Sequence, residues 1–440
     1  MRTLSPPLKS SAADHFINKG TLISIFLFFN LMISYRVLLI SPIPEVEMIA
    51  ELIYEFVLIF YVIYRVISRI ISRNSRVNPI EIYLGILFLL PLQAAFAAWN
   101  EFGQPIIYGI GTYRDWYLLY SALVVYNMIR SGMVSLELVE RMFLLTAWVS
   151  ISIFYFMSLF TNPANHTEGS LAGRNTAKGG DAYYRFNMTF VFFGSIYYFV
   201  KAFYKNKVIY IAYGLLFLIY VVFFRFDRTS IAVLIGAIAA FYITAITPRR
   251  QLTWLFFSIA PIITVILVVS ITAPEIFTRY YLMFADAFAT LFGSYTPKQE
   301  ESVRVDEVRI AFEGIRKHPI IGNGKVSGKW VEGGYNYFLG FFYVSDVGIF
   351  GQVYLYGFLG AFILYYQFVL LYYYAFKIKH IKRNTFLVTL KFFALALALD
   401  SITQGYLTNY AAQSIMAMVL VYAFYERDRV INAKIKAGEM

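Results

Sequence analysis

Stretches of roughly 17 to 25 apolar residues recur along this chain, each long enough to cross a hydrocarbon core of about 30 Å as a helix. They run approximately Thr21 to Ile40, Val46 to Ile67, Pro79 to Trp99, Trp116 to Ile129, Met142 to Phe160, Phe186 to Phe203, Val208 to Phe224, Ser230 to Ile246, Leu252 to Ala273, Ile349 to Phe376, Phe386 to Ile402 and Tyr410 to Tyr425. With 59% hydrophobic and 15% charged residues among 440, too little polar surface remains to cover a soluble core. The alternating ten-residue segments of a membrane β-barrel are lacking. The pattern predicts an all-α polytopic membrane protein with about 12 transmembrane helices.

Basic residues fall in alternate connections: Arg65, Arg69, Arg73 and Arg76, then Lys201, Lys205 and Lys207, then Arg249 and Arg250, then Lys377, Lys379, Lys382 and Arg383. Lys and Arg near span ends are retained in the cytoplasm, so this set and both termini are assigned there. The first twenty residues, with Pro6, Pro7, Asp14 and His15, do not read as a cleavable leader, and the first span is expected to be a retained anchor. The net charge of +12 then reflects topology and attraction to anionic headgroups, with no nucleic-acid partner required. An absence of cysteine excludes disulfides and thiolate metal sites.

The chain divides into a membrane part over 1–273, a long polar loop over 274–348 and a membrane part with a cytoplasmic tail over 349–440. A smaller outer loop, 161–185, carries Asn162-Pro163, Gly169, Gly173 and Gly179-Gly180 and reads as irregular. Within the long loop, Val305, Val308, Phe312 and Ile315 recur at helical spacing over Ser302 to Lys317 and predict a short amphipathic helix on the outer membrane face or over a cavity. His318-Pro319 ends it, and Gly322 and Gly324 permit a tight turn.

Several cations lie on the expected outer side, against the topology rule: Arg114, Arg185, Arg225, Arg228, Arg279, Arg304 and Arg309. Snorkelling to phospholipid, or pairing with a carboxylate such as Asp227, accounts for any one of them. Together they supply planar donor forks suited to a pyrophosphate-bearing lipid. The outer carboxylates are dispersed, and no metal site is predicted from them. His318 reads as a helix-end or headgroup contact, and Asp346 as either a helix cap or a general base.

In the order of these parts the chain resembles the O-antigen polymerase and ligase superfamily, the Wzy-type polymerases and their ligase relatives. The likeness rests on Arg225-Phe226-Asp227-Arg228-Thr229-Ser230 before a span, the run His318-Pro319-Ile320-Ile321-Gly322-Asn323-Gly324, and the following Gly357-Phe358-Leu359-Gly360. It implies a glycosyltransferase of the bacterial inner membrane. Such an enzyme would polymerise undecaprenyl-pyrophosphate-linked oligosaccharides into O-antigen, capsule or exopolysaccharide at the periplasmic face by inverting transfer. No cofactor or metal is implied, and a chain-length regulator is an expected partner. By position Arg225 or Arg228 and Arg304 match the family's functional arginines, with Arg309 a weaker match and Arg185, Arg279, Arg114 and His318 as further glycan or pyrophosphate contacts. Ligases tend to carry histidine eleven residues before the first glycine of Gly-x-x-Gly, where this chain has Asp346, which favours a polymerase over a ligase. A lipid-linked oligosaccharide flippase is the rival from another class, with Glu51, Glu55, Lys391 and Asp400 as its candidate mid-span charges.

Overall fold

The computed structural model describes residues 19–37, 44–72, 78–166, 172–174, 182–184, 186–225, 228–245 and 299–438, with Ile271 alone between the last two. Helices dominate: α1 (Lys19–Ser34), α2 (Pro44–Ser72), α3 (Pro79–Leu87), α4 (Leu89–Phe102), α5 (Ile106–Thr112), a 3-10 turn (Arg114–Tyr120), α6 (Ser121–Arg130) and α7 (Leu136–Phe160) come first. After them come α8 (Thr189–Lys205), α9 (Ile209–Tyr220), α10 (Arg228–Ala245), α11 (Gln299–Lys317), α12 (Tyr335–Leu339), α13 (Gly348–Lys377), α14 (Thr385–Thr403) and α15 (Tyr406–Lys436).

The expected set of about twelve spans is not what the fold contains. Among the described residues four helical stretches are long and apolar enough to cross a membrane: Pro79–Phe102, Leu136–Phe160, Val344–Lys377 and Thr385–Thr403. Gly20–Ser34, Ile209–Phe224 and Thr229–Thr244 are apolar but shorter. Individual misreadings have local causes. Trp116 to Ile129 is split between a 3-10 turn and a ten-residue helix, and α2 carries Glu45, Glu47, Glu51 and Glu55 in its N-terminal half. The stretch expected over Leu252 to Ala273 lies outside the described residues apart from Ile271. The protein is all-α and polytopic, and among the described residues its strands are a three-residue antiparallel pair, Ala172–Arg174 with Ala182–Tyr184, inside the loop read as irregular.

The first of the four stretches shows how sequence sets local geometry. Asn78 caps α3 and Glu81 completes the capping box. Pro91 has no N–H to offer the carbonyl of Leu87, and the helix breaks at Phe88 between α3 and α4. The indole N–H of Trp116 donates to that Leu87 carbonyl at 3.2 Å, and the Tyr120 hydroxyl to Leu84 O at 3.0 Å. Beyond the break α4 turns a face of Ala94, Ala95 and Ala98 inward, all buried. Small side chains there let other backbone come close, as small residues do between membrane helices.

The closest approach is made by the segment after α11. In α13, Gly357 has φ 66° and ψ 177°, and the helix is interrupted there. The carbonyls of Tyr354 and Leu355 accept from Asn323 N at 2.8 Å and Gly324 N at 3.0 Å, while Phe358 N donates to Pro319 O at 2.8 Å. Thus residues 319–324 pair with the open turn of the helix and satisfy its backbone. Irregular backbone within an apolar protein is tolerated only with such partners. Gly324, at φ 77°, lies so near α4 that an added Cβ would sit 2.1 Å from Ala94 O.

α11 spans the helix expected over Ser302 to Lys317 but turns a different face inward. Glu307, Ala311, Gly314 and Ile315 are buried, whereas Phe312 is exposed and meets the ring of Phe350 at 4.8 Å. Gly314 carries the Tyr354 ring, so small residues here again set the packing distance.

Candidate functional site

Residues 325–345 fold back over the joint between α4 and α13 and, with Leu355, line an open cavity of about 340 Å³, near the lower end of the range of small-molecule sites. Its lining includes Lys325, Tyr335, Asn336, Phe342, Tyr343 and Ser345. Gln104, with no exposed surface, fixes the start of this segment: its amide donates to Lys325 O at 3.1 Å and accepts from Ser327 N at 2.7 Å. The Tyr335 hydroxyl donates to Gly324 O, and burial pushes that hydroxyl's pKa well above its ordinary value. At the far end Glu307 of α11 accepts from Tyr343 N at 2.9 Å. Asn336 Oδ1 takes the N–H of Phe342 at 2.9 Å, which leaves the amide nitrogen as its donor.

Asp346 follows directly, in a 3-10 turn over Val344–Val347 ahead of α13. It is exposed and accepts from the Ser345 hydroxyl at 3.0 Å. Asp346 directly follows Val344 and Ser345 of the cavity wall.

Behind Lys325 stands a group of charges drawn from three elements. Arg36, just past α1, has φ 52°. It grips Glu51 of α2 with Nε and Nη2 at 3.2 and 3.1 Å, and its Nη2 also lies 2.7 Å from Asp115 Oδ1. Arg114 joins through Asp115 at 3.2 Å and Glu51 at 3.9 Å. Glu51, Glu55 and Asp115 bring one carboxylate oxygen each to within 4.8 Å of one another. Three carboxylates this close have the donor chemistry of a hard-cation site, a grouping the sequence does not show because α2 and the 3-10 turn supply it together. The two guanidiniums already neutralise most of that charge. The Lys325 ammonium lies 5.6 Å from the centre of the Tyr113 ring, a cation–π distance. Burial lowers its pKa below the ordinary lysine value, Asp115 draws it back up and Arg36 adds to the depression.

The other predicted residues divide by position. Arg114 is in the charge group. His318 Nε2 meets Glu101 Oε2 at 2.8 Å at the end of α11, bracing it against α4. Arg309 pairs with Asp306 at 3.1 Å on the exposed face, the two side chains 68% and 59% accessible. Arg304 lies on α11, Arg225 ends a π-helical turn (Val221–Arg225) and Arg228 starts α10; their side chains fall outside the described residues, as do Arg185 and Arg279 altogether. Lys325, Gln104 and Arg36 were not found from the sequence. Lys325 stands directly after the Gly322-Asn323-Gly324 turn, and that adjacency was the available signal.

Of the proposed flippase charges, Glu51 and Glu55 are both in the charge group with Asp115, Lys391 lies about 6 Å from the rings of Phe376 and Phe392, and Asp400 is buried in α14.

Residues 213–353 match the protein-family model Wzy_C, described as O-antigen ligase. The match covers about a third of the chain and supports a likeness to the Wzy-type O-antigen polymerase and ligase superfamily and to its general glycan-transfer role. Searches of curated proteins and of solved structures gave no match.

Proposed function

We propose that the protein transfers a glycan from a polyprenyl-pyrophosphate carrier to an acceptor hydroxyl in the manner of an O-antigen ligase, with the sugars next to the bond that breaks held in the 325–345 cavity. The observation that carries this reading is the overlap of family match and geometry. Every residue lining the cavity except Leu355 lies inside the matched segment 213–353, as does Asp346 beside it. Aromatic rings, an amide donor and a hydroxyl are the groups that bind saccharides.

In the proposed reaction the acceptor oxygen attacks the anomeric carbon, the bond from that carbon to the pyrophosphate oxygen breaks with inversion, and the hydroxyl proton passes to the Asp346 carboxylate. Asp346 is exposed, and its neighbour Ser345 already orients one carboxylate oxygen, which leaves the other for the acceptor. The departing pyrophosphate carries the developing charge, and Arg304 with Arg225 or Arg228 are the groups assigned to stabilise it. The reaction takes place on the outer face of the cytoplasmic membrane.

One observation favours polymerisation as a second reading: Asp346 stands where ligases tend to have histidine. The test incubates the purified protein in lipid with an undecaprenyl-pyrophosphate-linked glycan and a lipid A-core acceptor. One block moved to the acceptor supports the ligase; a ladder on the carrier supports the polymerase. An unaltered substrate with folded protein would falsify both. Asp346→Asn is expected to lower turnover by about 100-fold or more if the carboxylate is the base, and normal turnover in that variant would remove it from the chemistry.

A further inference from the structure

Among the described residues Lys325 presents an uncommon combination. Its ammonium makes no ion pair with them, although it is half-buried and borders a cavity. Arg36 and Arg114 lie close by, but each is engaged by Glu51 and Asp115. Asp115 acts on the ammonium through space but makes no direct ion pair with it, and a partly buried cation without a direct partner gains from a ligand that supplies an anion. The surrounding lining tells which kind. Tyr335, Phe342 and Tyr343 offer ring surface, Asn336 an amide donor, Ser345 a hydroxyl, and the wall at Gly328, Gly333 and Gly334 is open backbone. Among the described residues no arginine lines the cavity, and a lone ammonium lacks the planar fork suited to bidentate phosphate binding. One ammonium matches one negative charge, which is the charge of a single sugar carboxylate. A pyrophosphate diester would bring two.

We propose that the cavity recognises a carboxylate-bearing sugar, a uronic acid or its equivalent, through an ion pair with Lys325. The inference rests on the saccharide-cavity reading above and adds to it the substrate class: acidic glycans are preferred over neutral ones. Tyr113 and Gln104 act as positioning residues, the ring holding the ammonium from behind and the amide fixing the Lys325 carbonyl.

The test is a titration of the purified full chain in detergent, followed by ligand-observed NMR, with three probes: digalacturonate, the uncharged galactose disaccharide and geranyl pyrophosphate. Digalacturonate is expected to bind more tightly than the neutral disaccharide, and Lys325→Met to weaken it by about tenfold to a hundredfold, the range for losing a hydrogen bond to a charged group. The neutral disaccharide should be unaffected. Lys325→Arg should retain the preference, and it keeps the question open to measurement should the methionine variant not fold. The proton dependence adds a signature that a structural role would not give. Only charged lysine pairs with a carboxylate, so affinity should fall as pH rises through a pKa lying below the ordinary lysine value of about 10.4. The groups around the ammonium that set this pKa are Asp115, Arg36 and Tyr113, with Glu51, Glu55 and Arg114 behind them. In Lys325→Arg the fall should be absent.

Equal binding of acidic and neutral sugars, or a preference that survives Lys325→Met, overturns the proposal. A Lys325 dependence seen with geranyl pyrophosphate alone overturns it too, by giving the ammonium to the carrier's phosphates. Acidic-sugar binding without any glycan transfer would refute the proposed function and leave this site standing, so the two failures are separable.

Discussion

Two regions of this protein hold close-approaching helices together by different means. Between α8 and α9 the contact is made of side chains: the Phe217 ring covers Gly194, the Phe199 ring covers Gly214, and Trp148 of α7 meets Phe217 at 5.3 Å while donating to the Tyr198 hydroxyl at 2.6 Å. Between α4, α13 and residues 319–327 the contact is made of backbone: three main-chain hydrogen bonds at the Gly357 break, with the amides of Gln93 and Gln104 on either side. Rings can rotate or be replaced by others of similar volume, and packed cores accept such changes at modest cost. Paired backbone has no such freedom, because its hydrogen bonds fix register and an added atom meets main chain. The cavity is built on the second kind of contact. Its walls therefore hold their place through the joint, and changes at the joint should reach the site more directly than changes in the aromatic hairpin.

The comparison breaks most easily at Gly324. Its φ of 77° is disfavoured for any other residue, and a Cβ would stand 2.1 Å from Ala94 O and 2.4 Å from Ala98 N. Gly324→Ala is expected to destabilise by about 3 kcal/mol or more, from backbone strain and overpacking together. The measurement is the thermal unfolding midpoint and the monodisperse yield in detergent. A variant as stable as the parent would mean that the joint is not closed as described.

Gln104→Leu comes next. It keeps the volume but removes the partners of Lys325 O and Ser327 N, and an unsatisfied buried group costs about 1–3 kcal/mol. It should also loosen the cavity wall, so that digalacturonate affinity falls along with stability. Stability lost with binding intact would separate the clamp from the site.

In the aromatic hairpin, Phe217→Leu should cost only about 1–2 kcal/mol, since the buried ring is exchanged for a smaller apolar group. Ligand binding at the cavity should not change. A large loss of binding there would show that the two regions are coupled and that the contrast between them is wrong.

Much of this contrast could not be read in the sequence, for physical reasons that differ by residue. The run His318 to Gly324 was legible as a helix end and a tight turn because proline and glycine act locally. Its pairing with the open turn at Gly357 was not, since nothing in either segment names its partner. The apolar stretches gave the all-helical membrane class, but hydropathy does not reveal where helices are interrupted. The stretch from Trp116 became a 3-10 turn and a short helix, and Pro91 broke another near Phe88. In α11 the spacing of Val305, Val308, Phe312 and Ile315 indicated a helix correctly, yet the buried face is centred on Ala311 and Gly314. Small residues carry no hydrophobic signal but permit the nearest contact. Asp346 was found as a charge preceding a span. Lys325 was missed because an isolated lysine in a polar loop reads as solvated, and only the fold surrounds it with Tyr113, Gln104 and a cavity.

The smallest effect on stability is expected at the outer face of the joint's own helix. Arg309 belongs to α11, whose inner face touches α13 through Gly314, yet the arginine points away and pairs with Asp306 in solvent. Exposed pairs contribute about 0–1 kcal/mol, because water screens the charges and both side chains lose freedom in pairing. Arg309→Ala should therefore leave the unfolding midpoint nearly unchanged, in contrast with Gly324→Ala. That makes it a clean probe of the arginine's proposed contact with the glycan carrier. Turnover lowered at unchanged stability would place the carrier's phosphates along the exposed face of α11, one helix width from the Gly314 contact. Unchanged turnover would remove Arg309 from the substrate path and leave the proposed phosphate binding to Arg304 with Arg225 or Arg228.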